Sequence, residues 1–348
     1  MNTNEWTWID ARELCVEGRG WQDTDSPFDR FPPRAKGRVP EVVWDLSRMA
    51  AGVTVRFESD ALELRARWEL ASDTLHSVHS PLLACSGLDL YARSDSGAWR
   101  WVGVTRELTG RQCECLLNPG GTLRPGTHEF LVYLPLGNPV QKLEIGVPEG
   151  AMIRTLSART EKPVVCYGTS ICHGMGVSRP GMTHLAQLGR RLDYPIINLG
   201  VSGNAKMELA VAELLAELDA ALFIIDAIPN MEPQLVTERA EPFLRHLAAA
   251  RPGVPILLVE DRTYPAGWLI PAQATQNGGR REAFRQAYGR LLADGVGPLR
   301  YLAGEGLLGI DADGTNDGSH PNDLGAHRMA NALEPILRDL LKPRGEVT

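Results

Sequence analysis

The stretch VVCYGTSICHGMG, residues 164–176, joins a short apolar run to a turn made of small residues. Its first five residues end at Gly168 and are typical of a buried parallel strand. Thr169 and Ser170 follow directly, before a second glycine-flanked segment. A serine in such a turn either caps the next helix or displays its hydroxyl for chemistry. The choice between these interpretations depends on what the rest of the chain brings to Ser170.

The chain downstream of Pro163 alternates short apolar runs with amphipathic stretches. The predicted strands are VVCYG (164–168), IINLG (196–200), ALFIID (221–226), PILLVE (255–260) and LRYLAG (299–304). Helical stretches such as AKMELAVAELLAELD and ERAEPFLRHLAAARPG lie between them, and a last helix is predicted over about residues 323–342. Near-continuous apolar strands that alternate with helices predict a doubly wound, flavodoxin-like α/β domain with a five-stranded parallel sheet, over residues 159–348.

The first 158 residues have a different rhythm. Apolar and polar residues alternate across 41–70, and shorter runs such as GLDLYARSDSGAWRWVGV, HEFLVYLPL and KLEIGV follow. Turn sequences, among them Ser-Asp-Ser-Gly and Asn-Pro-Gly-Gly, separate these runs. Short strands at this spacing without a long helix predict an all-β, jelly-roll-like sandwich domain over residues 1–158.

Composition narrows the possible functions. The chain has 348 residues, 43% hydrophobic and 23% charged, which fits a soluble globular protein of two domains. A net charge of −7 argues against a nucleic-acid partner. The start MNTNEWTWID has no signal-peptide pattern and no apolar run reaches 18 residues, so we expect a cytoplasmic protein without a membrane partner. Six scattered cysteines do not form a disulfide framework, and the oligomeric state is open.

Four polar segments follow the predicted strands of the second domain. Ser170 follows the first strand, Gly203 lies in NLGVSGN after the second, and Asn230 lies in DAIPNM after the third. Asp317 and His320 lie in DGSHPND, just before the last helix. Ligands of doubly wound sheets bind beyond the carboxyl ends of the strands, so these segments are expected to meet at one edge.

Acyl transfer requires this set of groups. A serine hydroxyl needs an imidazole to remove its proton, and the imidazole needs a carboxylate on its other nitrogen. Asp317 and His320 are three residues apart and can supply that pair. The amides of Ser170 and Gly203 and the side chain of Asn230 can form an oxyanion hole. Each residue also has a simpler interpretation: Ser170 could cap a helix, Asn230 could form an Asx turn, and Gly203 could be a plain turn glycine.

In order, the four segments resemble the conserved blocks of the SGNH (GDSL-type) esterase and acyl-hydrolase superfamily. The first block has Gly-Thr-Ser where that family has Gly-Asp-Ser, and the third has IPN in place of the commoner Gly-x-Asn-Asp. GLDLY, residues 87–91, resembles the marker of a branch with an N-terminal β-sandwich. The resemblance implies a serine esterase with Ser170, His320 and Asp317 as the triad and Ser170, Gly203 and Asn230 as the oxyanion hole.

The resemblance also suggests short acyl groups, O-acetylated carbohydrates as one substrate class, and neither metal nor cofactor. Transfer of the acyl group to an alcohol other than water stays an alternative, and so does a non-catalytic carbohydrate-binding protein. Arg179, in SRPGM, is expected to make a structural ion pair or to clamp an anion. Asp89 and Tyr91 are expected to hold the sandwich domain in place.

Several other residues could suggest chemistry but are given no role. His173 and His184 are interpreted as packing residues near the site. Cys113 and Cys115 lack a second pair at zinc-ligand spacing. GMG, residues 174–176, does not complete a dinucleotide-binding fingerprint, so NAD is not expected.

Overall fold

A computed structural model of the protein describes residues 5–342. The chain forms two compact units, each made of more than one segment. Of the described residues, the first comprises 5–32, 47–160 and 177–182, and the second comprises 33–46, 161–176 and 183–342. The sequence suggests a single boundary, between residues 158 and 159. In the structure, residues 33–46 group with the second unit and residues 177–182 with the first.

The first unit is built from two antiparallel sheets. In chain order its strands are β1 (Trp6–Asp10), β2 (Cys15–Glu17), β3 (Thr54–Ser59), β4 (Arg65–Leu70), β5 (Asp89–Arg93), β6 (Trp99–Val104), β7 (Gln112–Leu116), β8 (His128–Tyr133), β9 (Val140–Pro148) and β10 (Ile153–Thr155). One sheet has the order β1-β9-β4-β7; the other has the order β10-β3-β8-β5-β6, with β2 beside β3. Alternate residues of β4, including Ala66 and Trp68, point into the core that both sheets share. This unit is the β-sandwich that the sequence predicts.

The segment GLDLY, residues 87–91, leads into β5 and binds a short segment of the chain, residues 177–182. The buried carboxylate of Asp89 accepts hydrogen bonds from the Arg179 guanidinium (2.7 Å), the Gly181 amide (2.8 Å) and the Trp101 indole (2.9 Å). Arg179 also donates to the Tyr91 hydroxyl (2.6 Å). A Cβ on Gly181 would lie 2.5 Å from the Tyr91 ring, so only glycine fits there. The segment 177–182 is therefore held by one carboxylate and one aromatic ring of β5.

The second unit contains one parallel sheet with strands β11 (Val164–Gly168), β12 (Ile196–Gly200), β13 (Leu222–Asp226), β14 (Ile256–Val259) and β15 (Leu299–Leu302). The strands lie side by side in the order β12-β11-β13-β14-β15. Val164 is in register with Ile196 on one side and with Leu222 on the other. The strand order reverses beside β11, which is where doubly wound folds bind their ligands.

Helices cover both faces of this sheet. In chain order the α-helices of the protein are α1 (Glu41–Ser47), α2 (Leu82–Ser86), α3 (Ser170–His173), α4 (His184–Leu192), α5 (Leu209–Leu215), α6 (Pro233–Ala250), α7 (Pro271–Ala293) and α8 (Asp323–Leu340), and short 3-10 helices occupy Ala11–Glu13, Pro33–Ala35, Pro180–Met182 and Pro265–Trp268. Leu185 of α4 and Met329 of α8 pack on one face of the sheet with Val164. On β11, Tyr167 stacks on Phe243 of α6, with ring centroids 5.6 Å apart.

One local expectation is wrong. Residues 41–47 fall in a stretch where alternating apolar and polar residues suggest strand, but they form α1. Pro40 precedes this helix, and the Pro40 carbonyl accepts from the amides of Val43 and Trp44. Val43 and Trp44 are both buried, so tertiary packing overrides the alternation. Within residues 5–342, no helix combines the length and the apolarity that a bilayer span needs.

Candidate active site

The turn after β11 is held against the ends of both neighbouring strands. The Thr169 amide donates to the Asp226 carbonyl at the end of β13 (3.2 Å), and the Val201 amide, just past β12, donates to the Gly168 carbonyl (2.8 Å). A Cβ on Gly168 would lie 2.4 Å from Cys172 Sγ, so a side chain at this position would force the turn apart. Backbone hydrogen bonds therefore hold the turn in place independently of the side chains of the site.

Thr169, and not Ser170, caps α3. The N-cap of α3 is Thr169, whose side chain accepts from the Ile171 amide. Ser170 is the first residue of the helix, and its hydroxyl is directed to His320 instead. The interpretation of Ser170 as a simple cap is therefore wrong.

Ser170, His320 and Asp317 form a continuous chain of hydrogen bonds. His320 Nδ1 lies 2.6 Å from Asp317 Oδ2, and His320 Nε2 lies 2.8 Å from Ser170 Oγ. A carboxylate only accepts hydrogen bonds, so Nδ1 carries the ring proton and donates to Asp317. Nε2 is then left to accept the proton of the Ser170 hydroxyl. The Ser170 side chain is almost buried but keeps some exposure, at 8% for the residue.

The loop Thr315–Pro321 closes on itself and thereby sets the geometry of the pair. The amides of Ser319 (2.9 Å) and His320 (2.8 Å) both donate to Asp317 Oδ1, and the Thr315 hydroxyl donates to the His320 carbonyl (2.7 Å). Asn316 Nδ2 donates to the Gly176 carbonyl (2.6 Å). This bond ties the loop to the segment that follows α3.

The same contacts keep Asp317 charged. Burial raises the pKa of the Asp317 carboxyl, but hydrogen bonds from the His320 ring and from the amides of His320 and Ser319 outweigh it and bring the pKa down to about 2. Asp317 is therefore a carboxylate at every pH at which the protein is expected to work.

Gly203 and Asn230 belong to neighbouring loops joined by one hydrogen bond. Gly203 has φ +69°, a left-handed conformation that favours glycine, and the space around it is open. Asn230 Nδ2 donates to the Asn204 carbonyl, one residue after Gly203 (3.0 Å). The positive φ therefore favours glycine at 203.

The histidines and cysteines to which the sequence analysis gave no role are buried. His173 is fully buried and its Nδ1 lies 3.0 Å from the Ser202 hydroxyl, next to Gly203. Burial lowers the pKa of His184 to about 4, so that ring is neutral. All six cysteines are free and buried, and Cys166 Sγ lies 3.3 Å from Cys172 Sγ beneath the turn.

The sequence analysis gave no role to Asp261 and Arg262, although LLVEDR, residues 257–262, is part of the resemblance to the family. Asp261 and Arg262 come after β14, separated from it by Glu260, and both are buried. Arg262 Nε donates to the Ser319 carbonyl in the loop that carries Asp317 and His320 (2.9 Å). The available signal was a pair of opposite charges placed directly after an apolar strand, as in LLVEDR.

Comparison with known proteins agrees with this architecture. Residues 161–338 match the model of the GDSL-like lipase/acylhydrolase family, and residues 6–153 match the model of the GxDLY N-terminus of SGNH-hydrolase-type esterases. No curated protein sequence matches the chain.

Three solved structures share the fold over nearly the whole chain. A protein from Bacteroides ovatus ATCC 8483, described as a GDSL-like lipase, is 34% identical, with a TM-score of 0.92 over 97% of this chain and 98% of that one. The salicylyl-acyltransferase SsfX3 from a tetracycline biosynthetic pathway is 19% identical, with a TM-score of 0.76 over 96% and 97%. A family two carbohydrate esterase from Cellvibrio japonicus is 13% identical, with a TM-score of 0.64 over 97% and 98%.

The family match covers more than half of the chain, and the sandwich match covers most of the remainder. The likeness to the Bacteroides ovatus protein extends over both. The protein is a carboxylic ester hydrolase, and it belongs to the GDSL-like lipase/acylhydrolase family.

Proposed function

We propose that this protein hydrolyses short-chain acyl esters, acetyl esters first among them, through an acyl-enzyme on Ser170. The observation that carries the proposal is the hydrogen-bonded chain from Ser170 Oγ through His320 to Asp317. We further propose that the whole reaction takes place in the domain of residues 159–348, since each of these side chains belongs to it.

The reaction proceeds in two steps. Ser170 Oγ attacks the ester carbonyl while His320 Nε2 takes its proton, and the imidazolium is stabilised by the Asp317 carboxylate. His320 then returns that proton to the departing alcohol, leaving the acyl group on Ser170. In the second step His320 takes a proton from a water molecule, whose oxygen attacks the carbonyl of the acyl-enzyme. The bond between that carbonyl carbon and Ser170 Oγ then breaks, and His320 returns the proton to Oγ, which releases the acid and restores the serine.

The oxyanion of each tetrahedral intermediate needs preorganised donors. The Ser170 amide is at the first position of α3, where a helix has no internal acceptor for it. The amide group of Asn230 has two N–H donors, and one of them is used on the Asn204 carbonyl. We propose that the second Asn230 donor and the amides of Ser170 and Gly203 bind the oxyanion. Loss of one such donor typically lowers kcat by about 10²–10³-fold.

Esters of carbohydrates are the proposed substrate class. The family two carbohydrate esterase shares the two-part fold over 97% of this chain, which makes acetylated sugars a reasonable first set to screen. Acyl groups should be compared by length, from acetyl upward, on a single sugar.

The central test uses Ser170→Ala with Thr237→Ala as a control, because the latter removes an exposed hydroxyl on α6. We expect the wild type and Thr237→Ala to hydrolyse p-nitrophenyl acetate and to be labelled by a fluorophosphonate probe. We expect Ser170→Ala to do neither while keeping the circular dichroism spectrum of the wild type. Full hydrolysis by Ser170→Ala would refute the proposal, and an unlabelled, inactive wild type would favour the non-catalytic carbohydrate-binding alternative.

Transfer to an alcohol is the second candidate, and the fold likeness to the salicylyl-acyltransferase favours it. Hydrolysis and transfer share the acyl-enzyme and differ only in the second step. Product analysis with a fixed donor and increasing concentrations of glycerol or a sugar alcohol separates them. A new ester that dominates over free acid at low alcohol concentration would identify a transferase.

A further inference from the structure

A buried cluster of charged and amide side chains lies behind the proposed site. Asp261 is fully buried, and the residues around it, Arg262 (2% exposed), Arg280 (3%) and Asn277 (4%), are nearly so. Asp261 Oδ1 accepts from the Arg262 guanidinium, while Oδ2 accepts from Arg280 (3.2 Å) and Asn277 (2.8 Å). Burying one carboxylate with two guanidinium groups is costly unless their geometry is good and their other donors are used.

The first guanidinium uses its other donors on the loop of the proposed general base. Arg262 Nε donates to the Ser319 carbonyl (2.9 Å), and its terminal nitrogen donates to the Ser319 hydroxyl (2.5 Å). Ser319 is the residue before His320. Two hydrogen bonds from one planar group fix both the position and the orientation of the chain at that point.

The second guanidinium reaches the loop of the proposed oxyanion donor. Arg280, from α7, donates to the Pro229 carbonyl (2.5 Å) and to the Tyr264 hydroxyl (2.9 Å). Pro229 is the residue before Asn230. Each arginine therefore contacts the residue that precedes a proposed site residue, and both arginines are anchored on the same carboxylate.

We propose that Arg262 and Arg280 are positioning residues, which set His320 and Asn230 from the common anchor Asp261. This inference rests on the proposed function, because it names the groups that hold the two halves of that site in place. Neither arginine needs to contact substrate. Productive catalytic geometry requires placement within a fraction of an ångström, which supporting hydrogen bonds supply.

Substitutions of Arg262 and Arg280 are expected to have different effects on ester hydrolysis. A displaced His320 is less able to protonate a leaving alkoxide, which an alkyl acetate requires and a p-nitrophenyl ester hardly does. Arg262→Lys keeps the charge but loses the paired geometry. We expect its kcat/KM to fall on the order of 10- to 100-fold with an alkyl acetate, and several-fold less with p-nitrophenyl acetate. A displaced Asn230 weakens oxyanion binding for both esters, so Arg280→Lys should lower both values by a similar factor.

Double mutants separate positioning from general damage to the fold. If Arg280 acts through Asn230, Arg280→Lys should cost at least about 10-fold in the wild type and less than about 2-fold in the Asn230→Ala background. If Arg262 acts through Ser319, Ser319→Ala should lose most of its effect in the Arg262→Lys background. A purely structural role would give the same cost in both backgrounds. The Ser319→Ala variant keeps every charge, so it tests the Arg262 arm even if Arg262→Lys folds poorly.

All rates are divided by the concentration of active sites, measured as fluorophosphonate bound per chain. Arg285→Lys is the matched control: it lies on α7 and pairs with Glu260 and Glu305, and we expect rates like those of the wild type. Wild-type rates per active site in Arg262→Lys and Arg280→Lys, with additive double mutants, would overturn this inference alone. Failure of the proposed function looks different, since then Ser170→Ala would match the wild type or the wild type would be inert.

Discussion

The two oxygens of the Asp317 carboxylate have different partners, and this decides which nitrogen of His320 is protonated. Oδ1 accepts from the amides of Ser319 and His320, whereas Oδ2 accepts from the imidazole. Because both oxygens accept, the ring must hold its proton on Nδ1. The hydrogen bonds that close the loop therefore also leave Nε2 as the hydrogen-bond acceptor that faces Ser170.

Asparagine at position 317 should reverse that arrangement. The two backbone amides will take the carboxamide oxygen, so the amide nitrogen will face Nδ1 and donate to it. Nε2 must then carry the proton and cannot accept the one from Ser170. We expect kcat/KM of Asp317→Asn to fall by up to about 10⁴-fold, to a value no higher than that of Asp317→Ala. Ester hydrolysis at pH 7.5 measures both variants, and a clearly more active Asp317→Asn would contradict the tautomer argument.

Single site residues can be predicted from the sequence when they follow a secondary-structure element that is itself predictable. Ser170, Gly203 and Asn230 are visible because each follows a strand of a recognisable parallel sheet. The contact between Arg262 and Ser319 is not, because it joins residues 57 positions apart through side-chain geometry that no local pattern records. The same is true of Arg280, which is inside a helix and has no sequence neighbour in the site.

Among the elements, strands with buried apolar runs were the most predictable. Val164–Gly168 and Ile196–Gly200 begin and end where the sequence places them, because burial on both faces demands uninterrupted apolar residues. The strands β1, β2, β7 and β10 of the sandwich were not recognised. Each has five residues or fewer, and β1, β2 and β10 lack a regular alternation of buried and exposed positions, whereas β7 alternates but is short.

The pairing of β5 with the segment 177–182 leads to a stability prediction. Asp89→Ala leaves the Arg179 guanidinium and the Gly181 amide without their shared acceptor in a largely buried place. Removing one partner of a buried ion pair costs about 3–5 kcal/mol of unfolding free energy. We expect a loss of that order in urea unfolding followed by tryptophan fluorescence.

The control for Asp89 is Glu114→Ala, which removes an exposed ion pair with Arg65 between β7 and β4. Exposed pairs contribute about 0–1 kcal/mol, so this variant should unfold close to the wild type. Equal stability of the two variants would show that the Asp89 contacts do not hold the segment 177–182 in place.

On the scale of the whole molecule, two buried groups give the stability opposite dependences on pH. Burial lowers the pKa of His184 to about 4. Between about pH 6.5 and pH 4, His184 is therefore protonated in the unfolded chain but neutral in the folded protein. Stability therefore falls as the pH drops from about 6.5 to about 4. Burial raises the pKa of Asp226 to about 7, against the opposing charge of Arg262 and with the help of Asp261. The folded protein then keeps a proton that the unfolded chain releases near pH 4, so stability falls as the pH rises from about 4 to about 7.

Asp226→Asn and His184→Gln test these two contributions separately. Each variant is compared with the wild type at the same pH, so the constant cost of the substitution cancels when the difference is followed along the pH scale. We expect the unfolding free energy of Asp226→Asn to rise relative to the wild type between pH 5 and pH 8, by on the order of 2 kcal/mol. We expect the unfolding free energy of His184→Gln to rise relative to the wild type as the pH falls from 7 to 4.5. Urea unfolding at these values measures both, and a difference that stays constant with pH would mean that the group titrates in the folded protein as it does in the unfolded chain.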